Sequence, residues 1–122
     1  MTRPAPLFDS TATGRAAEAE ALVSSLQQRI DAIRALTVPI RLRPRVACLE
    51  WLDPIFSAGH WVPEMVDLAG GTDGLARCGE TSVQVLWNRI LELNPEVLVL
   101  MPCGFDVERT VKEATVLQAL PG

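Results

Sequence analysis

One uninterrupted helical pattern sets the terms for the whole chain. From Thr13 onward, Ala19, Leu22, Leu26, Ile30 and Ile33 recur at three- and four-residue spacing, and the pattern runs out near Leu36. This is the period of an amphipathic α-helix. Thr13 is placed to cap it and Pro39 to stop it. About 23 residues at 1.5 Å of rise make a rod of roughly 35 Å, the width of an entire small domain. A chain of 122 residues cannot wrap such a rod on every side. The apolar stripe is narrow, and Glu18, Glu20, Gln27, Gln28, Asp31 and Arg34 occupy the other faces. The helix therefore belongs on a surface, and the core must be built by the residues C-terminal to it.

Those residues suffice for one core and no more. At 13.3 kDa, with 48% hydrophobic and 21% charged residues, the chain has the material for a single packed domain. The longest apolar run is Val97 to Met101, far short of the eighteen or so residues that span a bilayer. The opening Met1-Thr2-Arg3-Pro4-Ala5-Pro6 carries no apolar segment of the secretory type. Eleven basic residues against fifteen acidic ones give a net charge of −4, which argues against a nucleic-acid surface. Cys48, Cys78 and Cys103 are odd in number and form no C-x-x-C pair, so neither a disulfide scaffold nor a zinc knuckle is indicated. Cys48, inside an apolar run, is expected to be a small buried hydrophobe.

The chain divides into three stretches: a Pro-, Thr- and Ser-rich arm over 1–12, the long helix and a basic linker over 13–44, and a folded unit over 45–122. Val46-Ala47-Cys48-Leu49 is a buried strand, with Glu50-Trp51-Leu52-Asp53-Pro54 expected to be the loop that closes it. A short helix with Pro63 in its first turn comes next, its inner face assigned to Met65, Val66 and Ala69, and Gly70-Gly71 ends it. Val83-Gln84-Val85 is a candidate brief strand. Trp87 to Leu93 is a short helix stopped by Asn94-Pro95, and Val97 to Met101 is the clearest strand. Asp106 caps a last helix with Val107, Val111 and Ala114 assigned inward.

This alternation is an α/β layout with a small, mainly parallel sheet. In such sheets ligands bind beyond the carboxyl ends of the strands. The first strand ends at Glu50, Trp51 and Asp53, with Phe56, His60 and Trp61 shortly after. The last ends at Pro102-Cys103-Gly104-Phe105-Asp106. The chain has only three Trp, three Phe and one His, and most of them fall on this one edge.

Four blocks carry a family resemblance: Leu49-Glu50-Trp51-Leu52-Asp53-Pro54, Ala58-Gly59-His60-Trp61-Val62-Pro63-Glu64, Leu68-Ala69-Gly70-Gly71, and Val99-Leu100-Met101-Pro102-Cys103-Gly104-Phe105-Asp106. Together they resemble the second lobe of cobalamin- and siderophore-type substrate-binding proteins of ABC importers. In those proteins two Rossmann-like α/β lobes are bridged by one long helix, and the stretch from Thr13 to Leu36 is similar to that helix. Against the family pattern the first lobe is missing and the second stops early, so the sequence is expected to be a fragment.

The resemblance implies a non-enzymatic binding lobe with no intrinsic cofactor, whose cargo is cobalamin or a related metal chelate. It implies an ABC transporter permease as partner and a periplasmic or cell-envelope address; a genuine lack of signal peptide would point to the cytoplasm instead. The ligand-binding candidates are Trp51, Asp53, Phe56, His60, Trp61, Cys103 and Phe105. Aromatic faces give a flat ligand a large contact area at little rotamer cost. His60, the sole imidazole, is chemically able to coordinate cobalt or iron, though a lone His is more often a hydrogen-bonded loop residue. Cys103 with His60 as base is the one conceivable nucleophilic pair, set against a plain pocket-lining thiol. Glu50, Asp53 and Glu64 are more simply read as groups that cap nearby backbone N–H. Trp87 is assigned to the core. The alternative to ligand binding is an oligomerising structural fragment. The narrow stripe of the long helix and an unfinished sheet edge would both be exposed, and a homo-oligomer is expected.

Overall fold

The computed structural model describes residues 10–122. Most of the arm expected at 1–12 lies outside the described residues. A single 3-10 turn, Ser10–Thr13, precedes the long helix α1, Ala16–Thr37. Thr13 does not cap α1. Gly14 separates the turn from the helix, whose N-cap is Arg15, a residue that makes no side-chain capping bond and instead pairs with Glu18. At the other end α1 closes at Thr37, with Val38 as its C-cap directly before Pro39, which cannot continue the helix.

Strand β1, Arg45–Leu52, is the axis of the sheet. Strand β4, Val97–Leu100, lies parallel along one edge, pairing Val46 with Val97 and Leu49 with Leu100. The other edge is shared by β3, Thr72–Asp73, parallel at the start of β1, and β2, Ile55–Ser57, antiparallel at its end. The residues expected to close β1 as a loop instead continue it. Glu50-Trp51-Leu52 remain in the strand, and Asp53-Pro54, joined by a cis peptide bond, turn the chain into β2. Phe56 is therefore a strand residue, opposite Trp51. Residues 83–85 run beside β2 but form only one bridge, Gln84 to Phe56.

Helices cover both faces. Val46, Cys48 and Ala58 pack with Val99 and with Val62 and Val66 of α2, Val62–Leu68. On the opposite face Leu49, Leu52, Ile55 and Ile90 pack with Leu117, so α3, Trp87–Leu93, and α5, Thr115–Gln118, cover that side. Trp87 packs partly against this cluster, its indole N–H bonded to the Pro121 carbonyl at 2.8 Å. The resulting α/β/α sandwich has the expected fold class.

Two helices present faces other than those assigned from their spacing. In α2, Val66 packs inward as assigned, but Met65 is 58% exposed and Ala69 is exposed as well, and Val62 and Pro63 complete the inward face instead. In α4, Val107–Glu113, Val107 and Val111 are exposed, while Thr110 and Glu113 are half-buried. A seven-residue helix makes only two turns, so its apolar period leaves the buried face underdetermined. The expected helix ends are matched at Asn94, which turns left-handed at φ 47, and at Asp106, whose Oδ1 accepts the Arg109 N–H at 2.8 Å.

The basic linker has a structural use that its charge pattern did not announce. The Arg43 guanidinium donates to the carbonyls of Asp67 and Gly71 at 2.8 and 2.7 Å and to the Asp67 carboxylate at 2.6 Å. It thus satisfies the carbonyl-rich end of α2, where cations are favoured. Arg45 does the same for the end of α3 through the Asn94 carbonyl, and it pairs with Glu96.

Candidate functional site

The position of Trp51 is decided by one extra residue. Along β1, side chains alternate between faces, and Leu49 points into the α3/α5 side of the core. Strict alternation would send Trp51 the same way. Between the pairs Leu49–Ser57 and Trp51–Phe56, however, two residues of β1 oppose one of β2, a β-bulge. The bulge reverses the alternation, so Leu52 rejoins the core and Trp51 is left 37% exposed at the rim.

The second wall comes from the loop after β4. Met101 N–H still bonds to the Leu49 carbonyl, and Phe105 N–H then closes a turn on Pro102 at 3.2 Å. Gly104, at φ +76, stands third in this turn, where a type II geometry demands a positive φ. The turn delivers Phe105 to Trp51, edge to face, with ring centroids 5.4 Å apart and planes at 63°. Arg109, in the first turn of α4, lays its guanidinium 3.7 Å from the ring centroid. Phe105 is thereby held between an indole and a cation, both favourable to its quadrupole.

Around this pair lies a concavity of about 80 Å³ lined by Trp51, Leu52, Asp53, Pro102, Phe105, Glu113 and Val116. Three expected residues, Trp51, Asp53 and Phe105, meet there. Phe56, His60, Trp61 and Cys103 do not line it. Cys103 is exposed on the turn. His60 and Trp61 are carried elsewhere by the hairpin, because β2 runs backward. Ala58 N–H already bonds to the Cys48 carbonyl, four residues or about 13 Å behind Leu52. His60, at φ 60, is fixed by backbone bonds to Gly79 and Glu80, and its ring lies 5.8 Å from that of Trp61. Gly59 makes this possible. A Cβ there would stand 2.5 Å from the Ser82 backbone nitrogen.

Arg109, Glu113, Leu52 and Val116 were not foreseen. Arg109 meets Phe105 across the turn at Asp106 rather than along a helix, because Phe105 precedes the N-cap of α4, so helical spacing gave no signal for it. Glu113 and Val116 had none, because they reach the site through the bend between α4 and α5.

A wider depression of about 350 Å³ lies under α2, lined by Pro63, Glu64, Asp67, Gly71, Thr72, Asp73, Ala76 and Cys78. Asp73 Oδ1 accepts the N–H of Leu75 and Ala76, while its Oδ2 is buried with no hydrogen-bond partner. Burial, and secondarily the Asp73 charge, push the Cys48 thiol up to about 11. Cys48 is thus a neutral core group, as expected. Among the described residues no cluster of three or more His, Cys, Asp or Glu is arranged to hold a metal ion. No helix among them is long and apolar enough to cross a membrane.

A model of the family described as periplasmic binding protein matches residues 10–120. The chain belongs to that family. Three solved structures have the same fold. A possible iron-binding, periplasmic solute-binding protein from Staphylococcus epidermidis is 17% identical with a TM-score of 0.67, over 86% of this chain and 41% of that one. The periplasmic vitamin B12 binding protein of Vibrio cholerae is 19% identical with a TM-score of 0.65, over 87% and 41%. A periplasmic binding protein from Veillonella parvula is 18% identical with a TM-score of 0.68, over 84% and 37%. The chain spans about two-fifths of the length of these structures. No curated protein gives a significant match.

Proposed function

We propose that this member of the periplasmic binding protein family binds a flat, largely apolar metal chelate, a corrinoid foremost and an iron–siderophore chelate otherwise. It does so without chemistry of its own, as part of an ABC import system at the cell envelope. The observation that carries this reading is the Trp51–Phe105 pair, positioned by a bulge on one side and a glycine turn on the other, at the carboxyl ends of two parallel strands. The descriptions of two similar structures as iron-binding and vitamin B12 binding support the class of cargo.

Size refines the proposal. An enclosing site for a drug-sized ligand occupies roughly 300–1,000 Å³, whereas this concavity holds about 80 Å³. Trp51 and Phe105 thus serve as a platform under one face of the chelate, with Asp53 and Glu113 as polar points at its margin. Binding by this chain alone is weak on that account.

Titration with cyanocobalamin, and separately with a ferric siderophore, monitored by Trp fluorescence, tests the reading. Saturable quenching at high micromolar chelate or above is expected, and Trp51→Ala is expected to weaken it about tenfold. His60→Ala and Cys103→Ser are expected to change it much less, since neither side chain lines the concavity. No quenching by either chelate would overturn the ligand class and favour a structural or interaction role.

A further inference from the structure

On the reading that the chain binds a metal chelate, we infer that the concavity beside Trp51 and Phe105 holds an alkylammonium arm of that chelate, with Asp53 and Glu113 as its counter-charges. At about 80 Å³ the concavity is roomier than a single water requires and far too small for the body of a chelate. It suits a pendant group of a few heavy atoms.

Its lining is of two kinds. Trp51, Leu52, Pro102, Phe105 and Val116 give it apolar and aromatic walls. The charged residues that line it are Asp53 and Glu113, both acidic. Among the described residues neither carboxylate takes part in a hydrogen bond or an ion pair. Glu113 is half-buried, and a carboxylate partly withdrawn from water gains from a cationic partner.

A cation already within reach is not spent on this. Arg109 stands four residues before Glu113 on α4, the spacing at which opposite charges pair along a helix. Its guanidinium lies instead 3.7 Å from the Phe105 ring centroid, and Arg109 is not among the lining residues. One face of Phe105 is thereby taken, while Trp51, 37% exposed, still borders the concavity. Of the aromatic side chains, indole attracts a cation most strongly.

Other occupants fit less well. Paired carboxylates repel an anion. They also fall short of the roughly six oxygens a calcium ion takes, and among the described residues no group of three His, Cys, Asp or Glu is placed to hold a metal. An alkylammonium suits every wall at once. Its charge is met by Asp53, Glu113 and the indole, and its carbons by Leu52 and Val116.

Two linear ferric trihydroxamate chelates that differ at one end test the inference, one ending in a free amine and the other with that amine acetylated. Acetylation removes the positive charge and leaves the metal centre unchanged. Titrated into the 122-residue chain near neutral pH and followed by Trp fluorescence, the amine form is expected to bind about tenfold more tightly. Glu113→Gln and Asp53→Asn are each expected to reduce this preference about threefold, and together to abolish it. Affinity for the acetylated form is expected to stay the same in every variant, showing that each is folded. n-Butylammonium alone is expected to compete with the amine form only at concentrations far above that chelate's own midpoint. Equal binding of the two chelates, or a preference that survives the double substitution, would overturn the inference and leave the class of cargo standing. Competition by n-butylammonium at the chelate's own midpoint would make a free amine the occupant, and would overturn it too. So would a lack of quenching by both ferric chelates, and the class of cargo fails with it only if cyanocobalamin does not quench either.

Discussion

Helix α1 and strand β1 both carry clear apolar periods, and the structure treats them in opposite ways. Over 22 residues α1 buries none, whereas four consecutive residues of the eight in β1, Val46 to Leu49, are buried. Neighbours make the difference rather than composition. β1 receives β4 on one edge, β2 and β3 on the other, and a helical layer on each face. Among the described residues α1 receives no comparable set of neighbours. An apolar stripe therefore states which face of an element gains by being covered, and only the contacts decide whether it is covered.

This contrast can be broken or sharpened by four measurements. The largest effect belongs to Leu49→Ala. Leu49 is fully buried at the centre of the sheet, and its truncation is expected to cost about 2–5 kcal/mol in denaturant unfolding. Next comes alkaline pH. Because the folded Cys48 thiol is raised from 9.0 to about 11, the folded chain keeps a proton that the unfolded chain releases. Its contribution is intact below pH 9 and is lost as the pH rises from about 9 to about 11. Cys48→Ala should remove that part of the decline in a pH series of unfolding curves. The chain contains no Tyr to obscure the window.

Thr37→Val, which deletes the hydroxyl bonded to Leu68, is expected to cost about 1 kcal/mol. It should also raise amide exchange at the end of α1 before it raises exchange in β1. The smallest effect is Leu26→Ala. At this exposed position a change within about 0.5 kcal/mol is expected. A loss approaching that of Leu49→Ala would show that α1 is packed within a single chain, and the contrast would fail.

The sequence announced more of the fold than of the site. Helix α1, the Asn94-Pro95 stop, the Asp106 cap and the strand at Val97 were legible because each rests on local chemistry: an apolar period, a left-handed residue before proline, a carboxylate at an N-terminus. The hairpin was not. Glu50-Trp51-Leu52-Asp53-Pro54 looks like a loop because it ends in turn residues, yet its backbone finds a ladder partner in Ile55–Ser57 only after the chain has reversed. That reversal separated His60 and Trp61 from Trp51, which adjacency in sequence had grouped together. The faces of α2 and α4 were also hidden, since two turns of helix fit more than one orientation until the sheet beneath them is known. Arg43 and Arg45 resembled linker charge because their partners, the carbonyls that end α2 and α3, are tertiary.

The bulge at Glu50 makes the site tolerant of one kind of genetic change. Removal of Glu50 by a single in-frame codon deletion would place Trp51 directly after Leu49, so that regular alternation alone would keep Leu49 and Leu52 in the core and Trp51 at the rim opposite Phe56. A substitution at Trp51, by contrast, changes what the rim presents while its geometry stays in place. Among related genes, loss of the bulge residue would therefore leave an aromatic platform standing, and only changes at Trp51 or Phe105 themselves would give it up.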